Sequence, residues 1–488
     1  MPASAAVAPG RNPRQSFADD ARRIVPLAWP VFIGQIAVLG FTTIDTVLVA
    51  RYSAIDLAAL AVGGAAYVTI FVGLMGVVLA LGPIAGHLFG ARQLAAAGEQ
   101  FRQAVWLALG LSVLGCTLLM FPQPFLALAR TEPEVSAKVR AFLGGLAVAL
   151  PAALLFTAFR GFNTAVSRPK AVMLLQLGGL ALKVPLSALL VYGLALPTPL
   201  GELRLPSLGV AGCGIATAAV MWCQWFAAVA LLRRDPFYRP FGLDSRRWGA
   251  PQAAAQRALL KLGVPMGLSI AIEITGFTFM AFFISRLGAT PVAGHQIAVN
   301  LVSLMFMLPL ALGNASGTLV AQRLGAHDLR DARRLSWHGV ELGLAIATVM
   351  GAGAWLLREP LLRAYTHDTS IIAAALPLLA WVMLFHIADA AQTLAAFTLR
   401  AYRLTVAPML IYAASMWGVG LAGGYALAFD LTGLTPVALR GAPGFWAACT
   451  AGITLAALAL CGLLGGVLNA KRREERREQR SAPVTTAG

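Results

Sequence analysis

The chain has 488 residues, of which 58% are hydrophobic and only 12% are charged, whereas soluble domains carry about twice that charged fraction. This composition excludes a soluble protein with a single anchor and predicts a polytopic membrane protein. The five cysteines are scattered through apolar segments without the spacing of a disulfide framework or a metal site, so we interpret them as packing residues. The formal net charge of +17 raises the question of a nucleic-acid partner, which the distribution of the charge answers.

Apolar segments separated by short polar loops predict twelve transmembrane helices. The first segment follows Arg22 and Arg23 and is longer than the apolar core of a signal peptide, so we expect it to be retained as a helix. The predicted spans are 24–50, 57–83, 101–125, 138–159, 171–195, 207–232, 259–285, 292–318, 336–357, 371–397, 406–429 and 444–469.

Lysine and arginine residues fix the predicted orientation. If the N-terminus is cytoplasmic, the cytoplasmic segments contain 28 basic residues and the external loops contain 9, with Lys183 left inside a span. The positive-inside rule therefore predicts that both termini are cytoplasmic, in a bacterial-type inner membrane. This arrangement places the basic charge beside anionic lipid headgroups, so no nucleic-acid partner is needed to explain it.

The two halves of the chain repeat with a shift of 235 residues, which aligns Pro30 with Pro265 and Gly90 with Gly325. Six spans per copy make these parallel repeats about an axis along the membrane normal. The sequence thus predicts an all-α polytopic membrane protein with twelve transmembrane helices in two pseudo-symmetric six-helix bundles. Its parts are a cytoplasmic N-terminal segment (1–23), an N-lobe (24–232), a cytoplasmic linker with a short interfacial helix (233–258), a C-lobe (259–469) and a basic cytoplasmic tail (470–488).

Charged residues deep inside predicted spans are the candidate functional groups. Glu273 and Asp389 both belong to the second half, where one bundle can bring them together. A carboxylate at that depth costs at least about 2.5 kcal/mol, and two neighbouring carboxylates must share a proton or hold a cation. We therefore predict a proton or Na⁺ site at these two acids, with two separately satisfied carboxylates as the alternative.

Asp45 and Lys183 form a second candidate pair, in the first half. A buried salt bridge that fixes the first span against the fifth is the alternative to a transport role. His386, one helical turn before Asp389, either joins that acid or is a packing residue. The sequence has no HExxH motif, no glycine-rich phosphate loop and no DDxxD-like cluster, so we predict neither an enzyme nor a cofactor.

Several segments resemble the multidrug and toxic compound extrusion (MATE) transporters. They are PVFIGQIAVLGFTTIDTVLVARYSAIDLAALAVG, PIAGHLFGAR, FRGFNTAVSRPK and GVAGCGIATA in the first half, and EITGFTFMAFFISRLGATPVAGHQIAVN, LVAQRLGAHD and DAAQTLAAFTLRAYR in the second. The resemblance extends from about residue 24 to about residue 430. A glutamate in the seventh span with an aspartate in the tenth resembles the NorM-type branch rather than the DinF-type branch.

The resemblance implies a two-lobed antiporter that exports amphipathic cationic compounds in exchange for Na⁺ or H⁺. It places Glu273 and Asp389 on the coupling-cation site, so that a monovalent cation would bind there, and Asp45 on the acid of the N-lobe. We expect small-molecule substrates and membrane lipids as partners, and a monomer. Supporting or cavity-lining roles are expected for Gln35, Gln296, Asn300, Phe385 and His386.

Two residues depart from the family pattern. Phe385 stands where many relatives carry a tyrosine. Lys183 stands where asparagine is usual, within a polar set formed with Asp45, Ser187 and Thr217. Our hypothesis is that the Lys183 ammonium group occupies the place of a monovalent ion beside Asp45 and leaves ion coupling to the C-lobe acids.

Two alternatives stay open at this point. A flippase for lipid-linked precursors, of the same superfold, would favour a cavity lined by several arginines, and the mainly acidic deep charges disfavour it. A membrane enzyme or assembly scaffold would not need the two acids for export.

Overall fold

The computed structural model describes residues 16–129, 132–198, 201–244 and 249–481. Among them are twelve helices long and apolar enough to cross a membrane, which confirms the predicted fold class. The N-lobe helices are α1 (Phe17–Tyr52), α2 (Ala54–Gly90), α3 (Leu94–Met120), α4 (Pro133–Ala165), α5 (Pro169–Tyr192) and α6 (Val210–Arg234). The C-lobe helices are α7 (Ala253–Ser285), α8 (Ala289–Gly325), α9 (Leu329–Leu356), α10 (Thr369–Ala401), α11 (Val406–Ala428) and α12 (Ala442–Ser481).

Two of these helices are irregular: α2 has a short break between Val78 and Leu81, and the middle of α11, Ala414–Ala422, is π-helical. Short helices, Gln123–Ala129 and Arg358–Tyr365, follow α3 and α9. Because the number of crossings is even, α1 begins and α12 ends on the same side of the membrane, here called the terminal side. The predicted segments up to residue 15 and beyond residue 481 lie outside the described residues.

A β-hairpin between α5 and α6 was not predicted. Its strands, β1 (Leu194–Thr198) and β2 (Gly201–Leu205), pair antiparallel with Leu194 opposite Leu205. Helix α5 ends at Tyr192 because Gly193 adopts a φ of +76°, a left-handed conformation that glycine accepts readily. The predicted span to residue 195 was therefore too long, since the apolar residues of β1 continue the hydrophobic pattern of the helix.

The linker begins with a short 3₁₀ helix, Pro236–Phe241, that packs on the N-lobe. Tyr238 and Phe241 are fully buried, and the Tyr238 hydroxyl donates a hydrogen bond to Oδ1 of Asn163 at 2.6 Å. Tyr238 and Phe241 pack in the hydrophobic core of the N-lobe, whereas Pro236, Arg239 and Pro240 are exposed. The short helix therefore lies at the edge of the N-lobe.

Asp235 fixes the start of this 3₁₀ helix. Its carboxylate accepts a hydrogen bond from the Phe237 N–H at 2.9 Å and forms an ion pair with Arg168 at 2.6 Å. Burial alone would raise the pKa of Asp235, but these two partners hold the pKa below its ordinary value. The linker thus leaves α6 in a defined direction.

Helices α1 and α7, here called the crossing helices, each pack in both lobes. Ile24 and Ala28, near the start of α1, belong to the hydrophobic core of the C-lobe, whereas Val49, near its end, belongs to the core of the N-lobe. Helix α7 does the reverse: Leu262 packs in the N-lobe core and Ile284 in the C-lobe core. The two helices are equivalent in the sequence repeat, so the exchange is symmetric.

The lobes meet on the terminal side through glycines of the repeat. A Cβ atom on Gly90, at the end of α2, would overlap the carbonyl oxygen of Gln322 on α8. A Cβ atom on Gly325, at the end of α8, would overlap the carbonyl oxygen of His87 on α2. These reciprocal contacts are what a two-fold axis between α2 and α8 produces, and they bring the backbones of the two lobes together.

Ion pairs tie the start of α1 to α9 on the terminal side. The fully buried carboxylate of Asp20 accepts a hydrogen bond from Nε of Arg334 at 2.8 Å and lies 2.7 Å from Nδ1 of His338. Arg23 donates two hydrogen bonds to Asp331, at 3.1 and 3.2 Å. The beginning of an N-lobe helix is thereby anchored on the C-lobe.

We expect Asp20→Asn to lower the free energy of unfolding by about 2 kcal/mol. This is less than the ~3–5 kcal/mol for breaking a fully buried ion pair, because the side chains of Arg23 and Arg334 are 24% and 25% exposed. Thermal unfolding of the purified protein at low salt measures the effect. Asp19→Asn, at a neighbouring side chain that is 48% exposed, is the control and should change stability by less than about 1 kcal/mol; equal effects would contradict the anchoring role.

Candidate functional site

A cavity of about 550 Å³ lies between the lobes and is lined by residues of both. Its size falls in the usual range for small-molecule sites. Of the described residues, four with charged side chains line it: Glu273, Asp389, Arg160 and Arg400. The remaining lining is mostly apolar and aromatic, with the amides and hydroxyls of Gln35, Thr164, Gln176, Ser269, Thr278, Ser303, Asn314, Thr318, Gln392, Thr393, Thr405 and Tyr412.

The structure brings Glu273 and Asp389 to the same cavity. Glu273 is on α7 and Asp389, which is 4% exposed, is on α10. The two carboxylates are close enough to interact electrostatically, and Arg400 is near enough to interact with Glu273. Neither carboxylate has a hydrogen-bond or ion-pair partner among the described residues. Two unpaired acids in a low-dielectric cavity can take up a proton or a small cation.

The N-lobe set lies together in a separate, buried cluster. Nζ of Lys183 donates to Oδ2 of Asp45 at 2.9 Å, to Oγ1 of Thr217 at 2.6 Å and to the carbonyl oxygen of Cys213 at 3.3 Å. The Ser187 hydroxyl donates to Oδ1 of Asp45 at 3.2 Å. Lys183 is fully buried, and none of these residues lines the central cavity. All three ammonium protons are used, so the ion pair is internally complete.

Two further predicted residues, Gln35 and Phe385, line the cavity. Oε1 of Gln35 accepts a hydrogen bond from Arg160 at 3.4 Å. The ring of Phe385 packs edge-on against Phe277 and Trp446, with centroids 5.8 and 5.9 Å apart. Phe385 is 2% exposed, so it contributes little surface to the cavity.

Three expected residues do not line the cavity. His386 is fully buried, and neither ring nitrogen has a hydrogen-bond partner among the described residues, so it packs in the C-lobe core and does not join Asp389. Gln296 and Asn300 are exposed on α8, and Asn300 accepts a hydrogen bond from Tyr365. The part of α8 that lines the cavity begins at Val299 and includes Ser303 and Met307. Gln296 shares their helix face, because it lies seven residues before Ser303, but it is nearer to the start of α8 than the cavity reaches.

Comparisons with known proteins agree with this architecture. A sequence profile of the MatE family matches residues 30–189 and 265–426, which start at the paired prolines of the repeat. A "Probable multidrug resistance protein NorM" of Aromatoleum aromaticum is 40% identical over 460 residues, covering 93% of this chain and 96% of the relative. The chain belongs to the MatE family of transporters.

Solved structures of MATE proteins share its fold. The MATE transporter NorM-NG, solved in complex with a small molecule and a monobody, is 30% identical, has a TM-score of 0.75 and covers 92% of this chain and 95% of its own. The MATE transporter VcmN of Vibrio cholerae in its bent form has a TM-score of 0.80 at 16% identity, with 94% and 99% covered. The high identity to proteins named NorM places this MATE chain in the NorM-type branch.

Sequence reasoning missed the two arginines of this MATE cavity. The predicted spans ended at residues 159 and 397, so Arg160 and Arg400 counted as loop residues and Lys183 as the only deep base. The helices continue to Ala165 and Ala401, which brings both guanidinium groups to the cavity wall. Pro169, the first residue of α5, was an available signal that α4 could continue almost to that point, whereas Pro408 lies inside α11 and marks no helix end.

Proposed function

We propose that this protein is a secondary antiporter that exports amphipathic cationic compounds in exchange for Na⁺ or H⁺. The names of its relatives, which are multidrug resistance proteins, and a relative's complex with a small molecule support multidrug efflux. The main support for ion coupling is that Glu273 and Asp389 share one cavity and that neither carboxylate has a hydrogen-bond or ion-pair partner among the described residues.

The coupling cation and the substrate would then compete for the same two carboxylates. A cation bound between Glu273 and Asp389 lowers their negative charge, weakens the attraction for a cationic substrate and so favours its release. A cationic substrate, held by the acids and by partly exposed aromatic side chains such as Phe306 and Phe397, displaces the ion in return. Each ligand shifts the balance between states open to opposite sides of the membrane only as far as it binds one state more tightly.

The membrane setting of this proposal follows from the charge distribution and from the bacterial relatives. The terminal side is the cytoplasmic side of an inner membrane, and the protein acts as a monomer. In the N-lobe, Lys183 replaces a monovalent ion beside Asp45, since its ammonium group already uses all its donors. If Lys183→Asn left transport and its ion dependence unchanged, this role of Lys183 would be wrong.

We expect Glu273→Gln and Asp389→Asn each to lower ion-driven efflux of rhodamine 6G by about tenfold or more, because an acid needed for cation exchange at membrane depth contributes more than about 1.4 kcal/mol. The measurement uses proteoliposomes with an imposed Na⁺ gradient, an imposed pH gradient, or both. The gradient that drives wild-type efflux identifies the coupling ion.

Glu341→Gln is the matched control, because Glu341 is an exposed acid on α9 that does not line the cavity. It should leave the efflux rate within about twofold of the wild type, because its side chain is outside the cavity that holds the proposed ion site. Efflux that continues at the wild-type rate in both Glu273→Gln and Asp389→Asn would refute coupling at this site.

A further inference from the structure

The guanidinium group of Arg160 is a cation inside the cavity without an anionic partner among the described residues. It lies on α4 near the terminal-side end of that helix. Its nitrogens contact Oε1 of Gln35 at 3.4 Å and the sulfur of Met75 at 3.2 Å, which are neutral groups. No charged group in the described ranges interacts with it. Because a guanidinium stays ionised at any physiological pH, the cavity holds a permanent, uncompensated positive charge at this point.

The arginine contributed by the other lobe is different. Arg400 on α10 also lines the cavity, but its guanidinium stacks on the ring of Phe397, 4.3 Å from the centroid. It also interacts electrostatically with Glu273. Arg400 is therefore balanced by an acid of the cation site, and Arg160 is the one of the two that can receive an anion from outside the protein.

The charge balance of the cavity limits what that anion can be. With both acids ionised, the four lining side chains Glu273, Asp389, Arg160 and Arg400 sum to zero. A cation held by the acids, whether a coupling ion or the charged group of a substrate, leaves one positive charge in excess. A single carboxylate matches that excess. A dianionic phosphate would exceed it and would face two acids in a low-dielectric space, where like charges repel strongly.

We propose that Arg160, assisted by the amide of Gln35, forms a subsite for the carboxylate of substrates that also carry a cationic group. This inference rests on the proposed function, since Glu273 and Asp389 take the cationic end. Arg160 is on α4 of the N-lobe, whereas Glu273 and Asp389 are on α7 and α10 of the C-lobe. A zwitterion bound in the cavity would therefore place its carboxylate on one lobe and its cationic group on the other.

A matched pair of dyes tests the subsite. Rhodamine 6G is an ethyl ester and a cation, whereas its free acid, rhodamine 19, has the same ring system and a carboxylate. We expect Arg160→Gln to weaken binding of the free acid relative to the ester by about tenfold or more, because a charge-assisted bidentate contact is lost. Arg160→Lys keeps the charge without the planar fork and should give an intermediate ratio. Dissociation constants come from fluorescence polarisation with the purified full-length protein.

Arg140→Gln, on the same helix but exposed and outside the cavity lining, should leave the ratio of the two constants unchanged. Binding of the ester to Arg160→Gln shows that this variant is folded. If Arg160→Gln does not fold, the ratio of the two dissociation constants in Arg160→Lys tests the subsite instead. An unaltered ratio, or equal weakening of both dyes, would overturn the subsite. So would a wild-type protein that binds farnesyl phosphate but not the free acid, since the arginine would then serve a lipid phosphate.

A different result would refute the proposed function: wild-type proteoliposomes would not transport the ester under any ion gradient. Efflux of the ester with an unaltered ratio in Arg160→Gln would leave the antiporter in place and remove only the carboxylate subsite. The two proposals are therefore separable with the same pair of dyes.

Discussion

Gly90→Val or Gly325→Val should prevent the lobes from closing on the terminal side and abolish efflux. In each case the new side chain would meet a backbone carbonyl of the opposite lobe, Gln322 or His87, which no change of rotamer relieves. The helices can accommodate valine only by moving apart. We expect double electron–electron resonance between labels on the exposed positions Gln93 and His327 to report a longer distance by several ångström.

Gly64→Val is the control for this prediction. Gly64 is on α2 as Gly90 is, but a Cβ atom there meets nothing within 4 Å, so the same loss of glycine should leave the label distance and efflux close to wild type. A normal label distance in Gly90→Val would mean that the contact between α2 and α8 is not what holds the terminal side closed.

Lys183→Met should strongly destabilise the N-lobe. It would leave the carboxylate of Asp45, whose side chain is 10% exposed, without its ion-pair partner. Removing one member of a buried pair typically costs about 3–5 kcal/mol, because the other charge stays buried and unpaired. The measurement is thermal unfolding of the purified protein, followed by tryptophan fluorescence.

The double variant Asp45→Asn, Lys183→Met separates charge from packing. It removes both charges and keeps similar side-chain volumes, so we expect it to recover at least half of the lost stability. A double variant that is less stable than Lys183→Met would show that packing around the aliphatic part of Lys183, rather than its charge, dominates.

The fold was predictable because hydropathy and the repeat report on whole helices. Twelve long apolar runs survive an error of several residues at each boundary, and Pro30 and Pro265 align without any gap. The same tolerance concealed Arg160 and Arg400. The predicted ends were six residues short for α4 and four residues short for α10, which is enough to count an arginine of the cavity wall as a loop residue. Assigning a residue to the cavity therefore requires accurate helix ends, whereas predicting that the helix exists does not.

The acids of the site were found because a carboxylate in an apolar run is conspicuous, and the structure places Glu273 and Asp389 on one cavity. Gln296 and Asn300 show the opposite case. They are polar residues on the helix face that lines the cavity farther along α8, but they lie nearer to the start of that helix. A single sequence does not specify how far along a helix a cavity extends.

The crossing helices have a mechanical consequence for any movement between the lobes. Since the two ends of α7 are embedded in different bodies, a rocking motion has to be absorbed as bending within the helix and not at a hinge in the linker. Pro265 lacks the N–H that would bond the carbonyl four residues earlier, so α7 has one backbone hydrogen bond fewer to resist bending there, and Glu273 follows about two turns later. The flexural stiffness of α7, and of its counterpart α1 at Pro30, would then set the speed of export, which could change without altering any residue that touches ion or drug.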